Sequence, residues 1–296
     1  IKGTLVSRPM EAIVSEAHLL VNSGVRELIL IAQDTTDYGH DLGLKDGLPQ
    51  LLERLTNELP PSTDQGTGLD WIRIMYAFPG AVSDRLIDVM ASHPQVLPYL
   101  DIPLQHADSK LLHSMQRPSS MDWVYKTITR MRTVLPALAI RTTWLLGYPG
   151  ETDAGFQALC DFLLEMRFDR AGAFQFSYET GTSSAPLGDP IPAAVKQDRY
   201  DRLMELQQTI SLQINQSFGG KTLDVLIEGR DENISIGRSY RDAPEIDGLV
   251  LVEGQAETGD IVPVRITGAM TYDLTGVLVN QTTTDLSSRR VNLPLL

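Results

Sequence analysis

Between residue 9 and about residue 178, short apolar runs alternate with stretches in which apolar positions recur every three or four residues. The first kind predicts strands buried on both faces, the second amphipathic helices, and their alternation predicts a parallel βα architecture. Residues 9–23 predict a helix, with Pro9 in the first turn, Ile13, Ala17, Leu20 and Val21 on one face, and Gly24 as the stop. Strands are predicted at 27–32, 71–76, 99–102, 138–146 and 171–176, with helices at 48–58, 84–91, 123–133 and 153–166. The pattern fits an incomplete βα barrel or a doubly wound sheet, and periodicity does not choose between them. The first element is a helix with no strand before it, which predicts residues upstream of Ile1.

A long helix is predicted at 193–216, carrying Val195, Leu203, Leu206, Ile210 and Ile214 and closed by Gly219-Gly220. The period then falls to two. Strands at 222–228, 235–239, 248–253, 261–267 and 275–280, divided by Gly- and Asp-bearing turns, predict a small closed antiparallel β-barrel. The division expected is 1–218 for the βα domain, 219–285 for the β-barrel and 286–296 for a tail, poorly ordered from residue 281.

Charge and cysteine content narrow the chemistry. The 25 basic and 38 acidic residues give a net charge of −13, which serves solubility in many acidic proteins and, as a field, disfavours nucleic acid and favours a cationic partner. The single cysteine, Cys160, lies in an apolar helix and reads as a packing residue. One cysteine excludes an internal disulfide, suits a reducing cytoplasm and leaves no multi-cysteine metal site within these residues. Without a run of about 18 apolar residues, no membrane span is expected.

A βα fold builds its site at the C-terminal ends of its strands, so polar residues there are the candidates. One group is Gln33-Asp34-Thr35-Thr36, which also reads as turn chemistry. Another is Asp101 to His106, where an Asp, a Gln (Gln105) and a His fall within six residues. Arg141 stands in an apolar strand and needs a carboxylate, from the protein or from a ligand. Gly147-Tyr148-Pro149-Gly150-Glu151-Thr152 runs straight into a helix, whose free N–H groups and flanking glycines suit an acceptor, or make an ordinary turn. No catalytic triad, phosphate-binding lysine loop or metal-binding His pair appears, and these residues by themselves name no reaction.

In combination the motifs resemble a known family. Residues 3–9, Leu30 to Thr36, Asp101 to His106 and Gly147 to Thr152 resemble the radical S-adenosylmethionine methylthiotransferases, and the last 80 residues resemble the TRAM barrel those enzymes append. Residues 32–36, 202–208 and 237–248 resemble the branch that modifies an aspartate of ribosomal protein twelve of the small subunit, rather than the branch that modifies tRNA adenosine. From residue 219 onward 7 cationic and 12 acidic residues leave −5, which suits a basic protein better than RNA.

The resemblance implies an α/β fold, an incomplete TIM-like radical barrel, followed by an OB-like TRAM barrel. It implies S-adenosylmethionine and two 4Fe–4S clusters as cofactors, methylthiolation of an aspartate β-carbon, and a cytoplasmic enzyme. The implied partner is a basic ribosomal protein, free or on the ribosome, with no direct nucleic-acid contact. The implied cluster cysteines lie upstream of Ile1, so residues 1–296 alone are expected to hold neither cluster and to be inert. Cofactor contacts are expected from Gln33, Asp34, Asp101, Gln105, Arg141, Gly147, Gly150 and Glu151. Substrate contacts are expected from Arg241, Asp242, Glu245 and Asp247, on an exposed rim loop whose charges are dispensable for stability. A tRNA-modifying enzyme and a non-catalytic binding module are the alternatives.

Overall fold

The computed structural model describes residues 4–63 and 67–279. Its first part is α1 (Met10–Asn22), β1 (Glu27–Leu30), α2 (Gly47–Glu58), β2 (Trp71–Ile74), α3 (Asp84–Ser92), β3 (Val96–Asp101), α4 (Ser109–Ser114), α5 (Met121–Val134), β4 (Ala139–Leu146), α6 (Asp153–Met166), β5 (Arg170–Gln175) and α7 (Ala193–Gln216). The five strands are parallel and lie in chain order. A doubly wound sheet reverses its strand order at a switch point; this sheet does not, so right-handed crossovers place every helix on one face.

Alternation along the strands divides the sheet's residues. Leu28, Ile72, Ile74, Leu100, Ile140, Trp144 and Leu146 face the helices, packing with Leu52, Leu55, Leu86, Met131, Phe156 and Leu163. The side chains between them point the other way and form the open face. The short α4 has no sequence pattern of its own. Its start is set by Asp108, whose Oδ1 accepts from the N–H of Lys110 at 2.7 Å and of Leu111 at 3.1 Å. None of these helices is long and apolar enough to cross a membrane.

Strands β6 (Thr222–Arg230), β7 (Ile234–Ser239), β8 (Val250–Glu253), β9 (Ile261–Ala269) and β10 (Leu274–Leu278) close a barrel in the order β10-β8-β7-β6-β9. Leu223, Val225, Ile227, Val250, Val252, Val264, Ile266 and Leu274 fill it. The barrel is antiparallel as expected except at its closure, where β10 and β8 run parallel. A closed ring with an odd number of strands cannot alternate direction all the way round, so one parallel pair is unavoidable. The expected tail, 286–296, lies outside the described residues.

The barrel sits on the lower part of the sheet's open face. Trp71, Met75, Leu97, Tyr99 and Ala139 of the sheet pack with Ala243, and with Leu226, Tyr240 and Ile261. Beside this contact, Arg73 is fully buried in β2. Its Nε donates to Glu27 Oε1 at 2.8 Å and its Nη1 to the Tyr240 carbonyl at 2.7 Å. Arg238 Nη2 donates to the other Glu27 oxygen at 2.6 Å. Buried charges of this kind hold two surfaces in one register, because any other register leaves a charge unpaired.

Candidate functional site

The parallel strands end along one edge, and the open face above the barrel contact leads to it. Asp101, the last residue of β3, is fully buried there. It lies in register with Arg141 on β4, whose Nη1 donates to Asp101 Oδ1 at 3.1 Å. The second oxygen, Oδ2, is buried and has no protein partner. Leaving a buried carboxylate oxygen without a donor is expensive, and at a strand exit that arrangement suits a ligand. Burial raises the Asp101 pKa, and the Arg141 charge opposes that rise.

The flanking exits are shaped by backbone geometry. Asp34 Oδ1 accepts from the N–H of Thr36 at 2.9 Å and of Asp37 at 3.2 Å, as well as from the Thr36 hydroxyl. That oxygen therefore serves a local turn, while Gln33 beside it is exposed. Gln105 has φ 70°; its N–H donates to the Thr143 carbonyl at 2.9 Å and its carbonyl accepts from Leu145 at 2.8 Å. Tyr76, past the end of β2, has φ 54° and remains 45% exposed. A left-handed backbone in a non-glycine residue costs about 1–2 kcal/mol and clusters at functional sites. Sequence pattern does not reveal Tyr76, because it reads as the end of an apolar strand.

Glu151 organises the β4 exit. Its Oε1 meets His106 Nε2 at 3.0 Å, and its Oε2 accepts from Gly147 N–H at 2.7 Å and Arg199 Nη1 at 2.6 Å. His106 Nδ1 accepts from the Asp108 N–H at 2.9 Å, so the ring's proton sits on Nε2 and is donated to Glu151. Glu151 thus ties together the β3 exit, the β4 exit and α7. The Glu151 side chain, expected to meet a cofactor, is fully buried and both its oxygens are held by the protein. Gly147 has φ 71°, and a Cβ there would lie 2.4 Å from Lys196 Cγ. Gly150, at φ 96°, makes the second left-handed turn of the loop.

The barrel segment also departs from expectation. Of the four predicted substrate contacts only Glu245 is exposed. Arg170 Nη2 donates to Asp242 Oδ1 at 2.8 Å. Arg241 donates to Asp169 Oδ1 at 3.0 Å and to Asn215 Oδ1 at 3.1 Å. Asp247 Oδ2 accepts from the Tyr99 hydroxyl at 2.7 Å and the Ala243 N–H at 2.9 Å, and its Oδ1 lies 3.5 Å from Arg141 Nε. Arg241, Asp242 and Asp247 are therefore corrected from an exposed grip to a buried seam against the sheet. Their charges have partners on β3, β4, β5 and α7 that a local pattern cannot show.

The family description "Radical SAM superfamily" matches residues 1–163. The chain belongs to the radical SAM superfamily. A second description, "TRAM domain", matches residues 220–279, the span of β6 to β10. Among curated relatives, the ribosomal protein uS12 methylthiotransferase RimO of Chloroflexus aurantiacus is 50% identical over 280 residues, covering 93% of this chain and 60% of that protein. The same-named protein of Synechocystis is 45% identical over 283 residues, covering 95% of this chain and 62% of that one. The chain spans about three fifths of the length of these relatives. Among solved structures, the radical SAM enzyme coproporphyrinogen III oxidase of Escherichia coli aligns with a TM-score of 0.50 at 12% identity, covering 78% of this chain and 56% of that one, and supports the fold alone.

A radical SAM protein uses S-adenosylmethionine at an iron–sulfur cluster. The strand exits fit the first: Asp101 Oδ2 is an orphaned acceptor suited to an amino or hydroxyl group, and the Gly147 turn lies at the neighbouring exit. Cluster thiolates are another matter. Cys160 is the one cysteine of the sequence and is buried in α6, where burial raises its thiol pKa. A cluster held by several thiolates needs cysteines besides this one.

One consequence of the seam is testable through pH. Burial raises the Asp247 pKa, opposed by the Tyr99 hydrogen bond, the Ala243 N–H and the Arg141 and Arg170 charges. With a folded pKa above the unfolded one, the folded state holds its proton longer as pH rises, so this group's contribution to stability falls through that window. As pH rises from about 4, the ordinary carboxylate range, toward neutral, the parent is expected to lose stability relative to Asp247→Asn. Denaturant unfolding of both proteins across that range checks this, and a pH-independent difference refutes it.

Proposed function

We propose that the protein containing these residues methylthiolates the β-carbon of an aspartate on ribosomal protein uS12, using S-adenosylmethionine and 4Fe–4S clusters. The observation that carries this is identity of 43–50% with relatives of that name over at least 93% of the chain. Bound S-adenosylmethionine supplies the radical and the methyl group. Within residues 1–296, Asp101 and Gln105 at the β3 exit, Gln33 at the β1 exit and the Gly147–Gly150 turn receive that cofactor. Arg141 and Glu151 hold them in place, and residues 1–218 and 219–285 act as two domains.

The barrel's surface favours a cationic protein over tRNA. Arg238 and Arg241 are consumed in the buried seam, so the barrel's exposed cations among the described residues are Lys221, Arg230 and Arg265. Against them stand Asp224, Glu228, Asp231, Glu232, Glu245, Glu253, Glu257 and Asp260, all exposed. A phosphate backbone is repelled by such a field, whereas a basic ribosomal protein is drawn to it. Glu245 stays available to that partner, in the cytoplasm, whether uS12 is free or on the ribosome.

The test is the full-length enzyme, reconstituted anaerobically with iron and sulfide, given a reductant and S-adenosylmethionine, and offered uS12 and tRNA in parallel. The expected product is uS12 heavier by CH2S, located on one aspartate by fragmentation. Unmodified uS12 beside methylthiolated tRNA would transfer the protein to the tRNA branch.

A further inference from the structure

The TRAM barrel touches the strand exits through one line of side chains. Asp247, at the end of the segment joining β7 to β8, is fixed at Oδ2 by the Tyr99 hydroxyl and the Ala243 N–H. Its Oδ1 makes no hydrogen bond within the protein and faces Arg141 Nε at 3.5 Å. Arg141 in turn reaches Asp101 through a single contact, Nη1 to Oδ1 at 3.1 Å, and leaves Oδ2 free. Both carboxylate side chains are 1% exposed, and the guanidinium between them is 20% exposed.

We propose that Asp247 of the barrel is a positioning residue for Asp101: by holding the Nε side of Arg141, it keeps Asp101 Oδ2 open for the cofactor. The physical ground is the geometry of the guanidinium. Its donors form a planar fork, and a lone carboxylate beside it is gripped at both oxygens. Asp101 is gripped at one, because a second carboxylate, belonging to the barrel, draws the opposite edge of the fork. Without the Asp247 charge, Arg141 is free to rotate over Asp101 and take both oxygens, and a ligand's donor then competes with an internal ion pair. The barrel is on this account part of the cofactor site's framework and not only a module for holding a substrate. This rests on the reading above that Asp101 faces S-adenosylmethionine.

The experiment measures binding of S-adenosylhomocysteine to the full-length enzyme by calorimetry, with thermal unfolding of every variant alongside. Asp247→Asn is expected to weaken binding about tenfold or more, the scale of one charge-assisted hydrogen bond. Asp242→Asn is the matched control: it removes a buried seam carboxylate that pairs with Arg170 and does not touch Arg141. It is expected to lower the unfolding temperature and leave the affinity within about twofold of the parent. Introducing Asp247→Asn into Asp101→Asn is expected to cause no further loss, since the relay then has nothing to position. Tyr99→Phe, which removes one anchor of Asp247 and keeps its charge, is expected to give a smaller loss in the same direction, and decides the matter if Asp247→Asn does not fold.

Affinity unchanged in Asp247→Asn overturns the relay, as do equal losses in the two seam variants or additive losses with Asp101→Asn. A parent that does not bind S-adenosylhomocysteine overturns the cofactor reading, and the relay with it.

Discussion

Replacing Arg170 with Ala is expected to destabilise the protein by about 3–5 kcal/mol, the scale of breaking a buried ion pair by removing one partner. Arg170 is 5% exposed at the start of β5. Its Nη2 serves two acceptors of the barrel, Asp242 Oδ1 at 2.8 Å and the Tyr272 carbonyl at 2.7 Å, and its Nη1 lies 3.3 Å from the Asp169 carbonyl. Without the guanidinium, Asp242 keeps the Ser239 hydroxyl on its other oxygen but remains a buried carboxylate without its salt-bridge partner. In register on the neighbouring strand β4 is Arg141, whose pairing with Asp247 depends on the barrel staying seated. The loss is therefore expected to show as undocking of the barrel, with increased amide exchange in the 239–248 segment and at Tyr99. Removing both charges, Arg170→Met with Asp242→Leu, is expected to recover much of the stability, because the cost lies in the orphaned charge and not in the missing pair. Equilibrium denaturation settles the magnitude. A loss below about 1 kcal/mol, the range of a solvent-exposed pair, would mean that the seam is wet and loosely held.

What was legible in the sequence, and what was not, follows the range of the interactions involved. Elements with a strong local period, such as α6 (Asp153–Met166) and α7 (Ala193–Gln216), sit where apolar spacing places them. Strand β3 begins at Val96, three residues before its predicted start, because Pro98 interrupts the apolar run without interrupting the strand. Among site residues, Arg141 stands out in the sequence as a charge in an apolar strand and Asp101 as one of three polar groups at a strand exit, while the register that pairs them cannot be seen. Arg73, the most deeply buried cation, went unnoticed: a single Arg in a strand looks like its solvent-facing position until the barrel is placed over that face. The segment around Asp242 and Asp247 misled for the same reason. A Pro-bearing acidic turn between two strands has the composition of an exposed rim loop, and only its distant partners, Arg170 and Arg141, make it a buried seam. Conformation adds a further limit, since nothing in a one-letter string marks Tyr76 or Gln105 for a left-handed backbone.

Arg199 offers an internal comparison for the second large effect, because its two partners are the same chemical group in opposite surroundings. On one side Nη1 meets Glu151 Oε2 at 2.6 Å, with that side chain fully buried; on the other Nη2 meets Asp153 Oδ1 at 2.7 Å, with that side chain fully exposed. Coulomb attraction at equal distance is far stronger where water is excluded, and a solvent-exposed partner is replaced by water at little cost. Asp153→Ala is accordingly expected to cost less than about 1 kcal/mol. Glu151→Ala leaves Arg199, the His106 Nε2–H and the Gly147 N–H buried without their acceptor, and is expected to cost about 3–5 kcal/mol. The consequences extend beyond stability. Glu151 holds the Gly147 turn closed through that N–H at 2.7 Å, while Lys196 packs against the turn's missing Cβ and donates to the Phe176 carbonyl at 2.8 Å. With the carboxylate gone, the turn loses a buried link to His106 at the β3 exit, so S-adenosylhomocysteine affinity is expected to fall together with the unfolding free energy. Glu151→Gln keeps an acceptor for Gly147 but not the charge facing Arg199, and is expected to fall between the two. Denaturant titration of the three variants orders them. Equal costs for Glu151→Ala and Asp153→Ala would show that the β4 exit is solvated and that Glu151 does not organise it.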